Sequence, residues 1–140
     1  MRYLSRSFLL GTLQRRKEVE QFLGPATLKG IEGIRWVSIW PWQGGYNLSV
    51  HDVQDLDDED SRDLSVFPPL DPEGEDDPGP GRVIGHVQDP AEALELAERT
   101  TGASPHRWVN HGVAGEDYAD FVRARKPDSD LEAELRPAHS

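Results

Sequence analysis

The stretch that decides the fold is residues 34–53, IRWVSIWPWQGGYNLSVHDV. Its first part, Ile34 to Trp40, consists almost entirely of apolar and β-favouring residues, and Pro41 to Gly45 has the composition of a turn. Residues 46–51 then alternate apolar and polar side chains, as a strand with one buried face does. The stretch therefore predicts a β-hairpin, with Tyr46, Leu48 and Val50 facing the core and Asn47, Ser49 and His51 on the other face.

Three helices are predicted around this hairpin. Leu13 to Leu23 has an apolar stripe opposite charged residues, which is typical of a short amphipathic helix, and Gly24 ends it. A second helix ends at Gly102 and begins with an N-cap, a proline at the first helical position and a capping-box partner, which are Asp89, Pro90 and Glu92. Glu116 to Arg125 is the last predicted helix, with Tyr118, Phe121 and Val122 inward.

Further strands are predicted at Asp63 to Phe67, with Leu64 and Val66 inward, at Arg82 to Val87 and at Arg107 to Asn110. This order of elements predicts one α+β domain over residues 1–126. We expect an antiparallel sheet of three to five strands with helices packed on one face. The acid-rich and proline-rich region within residues 55–81 is predicted to be a mobile acidic loop, and residues 127–140 a disordered tail.

The charge of the chain is concentrated in one segment. The 140 residues carry a net charge of -11, and residues 51–77 hold twelve Asp and Glu against one Arg, so that the remainder is neutral. Because an acidic surface repels phosphate, nucleic acid and anionic membranes are excluded as the main partners. Runs of like charge are also common in loops that only keep a protein soluble, and this alternative stays open beside a role in binding.

Several classes of chemistry are excluded by what the sequence lacks. With no cysteine, the chain has no disulfide, no cysteine-ligated zinc or iron–sulfur cluster and no cysteine nucleophile. Nucleophile-elbow, P-loop and H-E-x-x-H motifs are absent. Asp55, Asp57 and Glu59 alternate as in an EF-hand loop, but Asp60 and Val66 stand where that loop needs Gly and Glu. We predict no cofactor and no metal site, and no segment is apolar for long enough to span a membrane.

The histidines are the candidate catalytic residues, should the protein be an enzyme. His51 ends the polar face of the hairpin beside Asp52, and His106 and His111 flank a short predicted strand. In an extended segment the last two would point to opposite faces and would not chelate a metal together. A small hydrolase or metal-dependent enzyme that uses His51 and Asp52 is therefore the last of three hypotheses for function.

The candidate binding site combines an aromatic anchor with acids. Trp36, Trp40 and Trp108 are predicted to lie in the core, whereas Trp42 stands at the hairpin turn with few neighbours to bury it. Exposed tryptophans are enriched among binding hot spots. The predicted partner-binding residues are Trp42, Asp52, Asp55, Asp57, Asp58, Glu59 and Asp60.

These features favour a non-enzymatic acidic protein that neutralises or escorts a basic protein partner. In size, acidity and lack of cysteine the chain is similar to small bacterial immunity proteins and antitoxins, and its twelve Arg against three Lys are typical of a GC-rich bacterial genome. That likeness implies a toxin domain as the partner, and it transfers no residue. The lack of cysteine and of an apolar run long enough for a signal peptide predicts a cytoplasmic location. An adaptor or structural module that docks through the hairpin is the second hypothesis.

Overall fold

The computed structural model of the protein describes residues 2–70 and 82–125. In chain order its elements are α1 (Arg6–Gln14), β1 (Val19–Leu28), β2 (Ile31–Trp42), β3 (Gly45–Val53), β4 (Arg82–Val87), α2 (Pro90–Thr101), β5 (Val109–Asn110) and α3 (Ala114–Ala124). The strands form one antiparallel five-stranded sheet in the order β4, β3, β2, β1, β5. The predicted α+β class is confirmed. Residues 71–81 of the predicted mobile loop and the predicted tail at 127–140 lie outside the described residues.

The β2–β3 hairpin forms as predicted, with a turn that the sequence placed slightly too wide. The strands continue to Trp42 and from Gly45, so only Gln43 and Gly44 connect them, with φ of 48° and 79°. Positive φ at both central residues is the requirement of the tight turn that matches the twist of paired strands, and glycine adopts it without strain. The pairing sets Val37 opposite Val50.

One sheet face, called here the helix face, is covered by α1 and α2. Its core contains Val37, Ile39, Leu48 and Val50 from the sheet and Leu9, Leu13, Leu94 and Ala97 from the helices. The Tyr46 hydroxyl donates a hydrogen bond to the Leu13 carbonyl at 2.7 Å, which ties the end of α1 to β3. The predicted start of α2 is confirmed, because the Asp89 carboxylate accepts from the backbone N–H of Glu92 at 3.2 Å.

The opposite face, called here the groove face, is covered only at its margins. There α3 packs against β1, with the Tyr118 ring 5.8 Å from that of Phe22 and 5.1 Å from that of Phe67. Two helices thus share one face, as predicted, and the third lies on the other. Leu64 and Phe67 of the loop after β3 complete this second apolar cluster. Among the described residues, none of the helices has the length and apolarity needed to cross a bilayer.

The helix predicted at 13–23 is wrong. The helix is α1, which lies earlier, and Arg16 with φ of 63° turns the chain into strand β1. Residues 19–22 are buried on both sides, so the strand shows no apolar–polar alternation. Its polar residues have their own partners: the Gln21 amide exchanges two hydrogen bonds with the backbone of Ser104, at 2.9 and 2.7 Å.

The strand predicted at 63–67 is also wrong. Leu64–Val66 form a single 3₁₀ turn, since the Asp63 carboxylate accepts hydrogen bonds from the backbone N–H and the hydroxyl of Ser65. Leu64 is buried as expected, whereas Val66 is exposed. The chain rejoins the sheet just afterwards, where Pro69 bridges to Val53.

At Gly115 the backbone of α3 closely approaches the loop after β3, and substitution of this glycine tests the packing. A Cβ at Gly115 would lie 1.6 Å from the Arg62 carbonyl oxygen, which belongs to rigid backbone. We expect Gly115→Ala to lower the free energy of unfolding by about 3 kcal/mol through overpacking. The measurement is urea denaturation followed by circular dichroism.

Gly11→Ala in α1 is the matched control. Its new methyl group meets only the flexible end of Arg15, at 3.2 Å. Because alanine favours a helix interior, this variant should be stabilised by about 0.5–1 kcal/mol. Equal effects of the two substitutions would contradict the described docking of α3.

Candidate functional site

A concave site, called here the groove, lies on the groove face among the described residues. It has a volume of about 260 Å³. This is slightly below the range of pockets for drug-sized ligands, about 300–1,000 Å³, and suits a single inserted side chain. The lining residues come from β2, β3, the start of β1, the loop after β3 and the turn before α3, and they are Glu18, Trp36, Ser38, Trp40, His51, Ser65 and His111.

Strand register brings the central residues of the groove together. Trp36 pairs with His51, and Ser38 pairs with Ser49, so these side chains project from the same face of β2 and β3. The Trp40 indole N–H donates to the Ser49 hydroxyl at 2.8 Å, which fixes the orientation of the Trp40 ring. Trp40 remains partly exposed, in contrast to the prediction that placed it in the core with Trp36 and Trp108.

His51 is held between an aromatic ring and a hydroxyl. Its imidazole stacks on Trp36 with the ring centroids 3.8 Å apart, and its Nε2 lies 3.0 Å from the Ser38 hydroxyl oxygen. Burial lowers the pKa of His51 to about 4, although the charge of Asp52 acts in the opposite direction. The imidazole is therefore neutral near pH 7.

The acid–base pair of His51 and Asp52 does not form. Neighbouring residues of a strand point to opposite faces, and the Asp52 carboxylate instead accepts from Arg35 Nε at 2.6 Å, with Arg82 at 3.5 Å. Ser38 and His51 are close enough for a nucleophile and its base, but such a base also needs a group that orients it. Among residues 2–70 and 82–125 no carboxylate hydrogen-bonds to His51, so the geometry provides only part of a hydrolytic site.

The predicted binding acids are largely held by arginines of the same chain. Arg125, at the end of α3, hydrogen-bonds to Asp55 and lies 2.7 Å from Asp57. Burial acts to raise the pKa of Asp55, but hydrogen bonds from Arg125 and from Tyr118 bring it below its usual value.

Of the next acids of this segment, only Glu59 follows the same pattern among the described contacts. Arg123 Nε donates to Glu59 at 2.9 Å. Asp58 organises its own turn, because its carboxylate accepts from the backbone N–H of Asp60 at 3.0 Å and from the Ser61 hydroxyl. Asp60 is exposed. The acidic segment is therefore an ordered loop on α3 up to Leu70, and not a uniformly unpaired negative surface.

Trp42 lies where the sequence placed it, at the exposed tip of the hairpin. It is 48% exposed, and its ring meets that of Trp40 edge-on at 5.5 Å. Since Trp40 lines the groove, the two rings form one continuous aromatic wall from the groove to the hairpin tip.

Sequence reasoning missed Glu18 and Glu20 and considered His111 only together with His106, whereas the structure brings Glu18, Glu20 and His111 together at one end of the groove. His111 Nδ1 lies 2.9 Å from a Glu18 carboxylate oxygen and 3.3 Å from one of Glu20. Desolvation lowers the pKa of His111, but the two glutamates together raise it above its usual value. The i, i+2 spacing of Glu18 and Glu20 was the available signal, and the helix prediction over this segment concealed it.

A second depression, of about 550 Å³, lies on the other side of Glu18 and His111. Its lining is basic, since α1 ends there with Arg15, Arg16 and Lys17. Glu18 and His111 therefore separate an aromatic groove from a basic depression.

Comparison of the chain with protein-family models, with curated protein sequences and with solved structures gives no match.

The environment of His51 predicts an unusual pH dependence of stability. The unfolded chain takes up this proton near pH 6.5, whereas the folded chain takes it up only near 4. Because the unfolded state binds more protons within this window, the free energy of unfolding should fall as pH falls through it. The measurements are the NMR titration of the His51 ring and urea denaturation across the window.

His51→Phe is the matched variant, since it keeps a ring on Trp36 and removes the titrating group. The difference in stability between wild type and this variant should change through the same window. An NMR titration midpoint near 6.5 for His51 would contradict the described burial.

Proposed function

We propose that this protein is a non-enzymatic binding module that captures a basic protein partner by taking an Arg or Lys side chain into the groove. The observation that carries the proposal is the composition of the groove, which places the tryptophan rings of Trp36 and Trp40 in one cavity with the carboxylate of Glu18. Aromatic faces and carboxylates are the two groups that recognise a guanidinium or ammonium ion.

The electrostatics of the chain favour the same class of partner. Ser65, in the middle of the acidic segment, lines the groove, so that the segment borders the site. His51, which stacks on Trp36 in the groove, is neutral near pH 7 and does not repel a cation there. A net charge of -11 attracts a basic protein over a distance and accelerates association, even where individual acids are paired within the chain.

The aromatic wall supplies an anchor that charge alone does not. The half-exposed ring of Trp42 and the partly exposed ring of Trp40 offer apolar area that a partner would remove from water. Large aromatic anchors mainly slow dissociation, while charges mainly speed encounter. A module that has both aromatic anchors and charges is suited to tight capture of its partner, as in proteins that neutralise or escort a toxin. We therefore propose, more specifically, an immunity or antitoxin role.

An adaptor role is the second candidate, and the exposed Trp42 at the hairpin tip is the observation that favours it. An adaptor would bind its partner through the hairpin alone. The two proposals differ in whether Glu18 and the groove contribute to binding.

A pair of short peptides tests whether the groove accepts a cation. We expect Gly-Arg-Gly to shift the indole N–H NMR signals of Trp40 and Trp42. The citrulline analogue, whose side chain has no charge, should leave these signals unchanged. Glu18→Gln should weaken the response to the arginine peptide. Glu95→Gln, an exposed acid on α2, is the control and should bind as wild type does.

The partner itself is sought by capture from a native cell lysate and identified by mass spectrometry. The wild type and Phe8→Ala, which removes an even more exposed aromatic ring from α1, should retain the same basic protein. Trp42→Ala should raise the Kd by about thirtyfold, the effect of a hot-spot side chain. Added salt should slow association of the wild type.

Two outcomes would count against the groove. Equal binding of the arginine and citrulline peptides would show that charge is not recognised there. The affinity for a captured partner could also depend on Trp42 and not on Glu18. This result would identify the hairpin as the binding surface and favour the adaptor role.

A further inference from the structure

Glu18, Glu20 and His111 form a compact set of metal-ligating groups. One ligand atom from each, two carboxylate oxygens and one imidazole nitrogen, lie within 4.8 Å of one another. The distances from His111 Nδ1 to the Glu18 and Glu20 carboxylate oxygens, 2.9 and 3.3 Å, can be compared with a tetrahedral site. They are close to the edge length of a tetrahedron whose ligands lie about 2.0–2.2 Å from a central ion. Small side-chain adjustments would therefore enclose a metal ion.

The backbone around these residues is held by the sheet. Glu18 directly precedes β1 and Glu20 lies within it, and residues two apart in an extended chain project to the same side. Strand β5 pairs with β1 at Val19 opposite Asn110, which places His111 beside both glutamates. Gly112, with φ of 88°, then turns the chain into α3. Of the three ligands, Glu20 lies within β1, and Glu18 and His111 directly adjoin the paired ends of β1 and β5.

Glu20 also accepts hydrogen bonds of the kind that orient ligating carboxylates in metal sites. It is only 3% exposed, and its carboxylate accepts hydrogen bonds from the backbone N–H groups of Gly112 and Ala114, the latter at 3.0 Å to Oε2. Such second contacts orient a ligand and leave its other oxygen for the ion. That other oxygen, Oε1, is the one that faces His111.

The chemistry of the set indicates the kind of ion. Two carboxylates balance the charge of a divalent cation, and an imidazole ligand favours zinc and its neighbours over calcium or magnesium, which take mainly oxygen ligands in larger number. We propose that Glu18, Glu20 and His111 bind one divalent transition-metal ion of the zinc class. Three protein ligands leave a tetrahedral ion one position for water or another ligand.

This site does not depend on the proposed function. The two share Glu18, however, and an ion there would neutralise the carboxylate that the groove offers to a cationic side chain. Zinc should therefore weaken the response to Gly-Arg-Gly. Failure of zinc binding alone would leave the capture of a basic partner untouched.

The test is calorimetric titration of Zn²⁺ into the full-length, chelator-treated protein without a partner. We expect saturable binding of one ion per chain, and a loss of affinity of at least about tenfold in His111→Ala and in Glu20→Gln. The second variant keeps an acceptor for the Ala114 N–H, and circular dichroism confirms that both variants fold. His106→Ala removes an exposed histidine outside the set and should bind as wild type does.

Substitution with Co²⁺ gives an independent readout. Visible absorption bands of the intensity expected for tetrahedral cobalt should appear with wild type and with His106→Ala, and should be lost in His111→Ala. The proposal is overturned if wild type shows no saturable zinc binding, if His111→Ala and His106→Ala bind zinc equally, or if Ca²⁺ or Mg²⁺ binds more tightly than Zn²⁺.

Discussion

The antiparallel pairing of β2 with β3 across the Gln43–Gly44 turn is the constraint on which the rest of the structure depends. Because side chains alternate along a strand, this one register decides which residues meet α1 and α2 and which line the groove. A slip by one residue would exchange the two sets, sending Trp36 and Ser38 into the helix face and Val37 into the groove. The tight turn allows no such slip.

The two faces of the sheet differ in composition because they are covered differently. Two helices close the helix face and make it a conventional apolar core. On the groove face α3 reaches β1 and the loop after β3 reaches the far end of β2 and β3. An opening remains between them, lined by the buried Trp36 and Ser38 and by the partly exposed Trp40 and His51. Aromatic and polar side chains occupy this opening in place of aliphatic ones. The groove is thus a consequence of incomplete coverage of a sheet that is buried elsewhere.

The acidic segment shows how a composition signal changes meaning once the chain is folded. In the sequence its acids stand almost alone, with Arg62 as the one base among them. In the structure Arg123 and Arg125 of α3, more than sixty residues later, reach Glu59 and Asp55. Each such surface pair contributes little to stability, but together they hold the segment against α3 and beside the groove. In the proposed capture of a basic partner, the segment therefore contributes mainly its net charge.

The sequence by itself determined the elements whose signals are local. The hairpin, β4, the capped helix α2 and the exposed Trp42 follow from alternation, turn residues and caps within a few positions of one another. The tertiary structure alone decided β1, because a strand buried on both faces with paired polar residues has no local signature. It also decided the site: Glu18, Glu20 and His111 meet only because β5 pairs with β1 across ninety residues of chain. Contacts of that range arise from strand pairing and core packing, which no local pattern encodes.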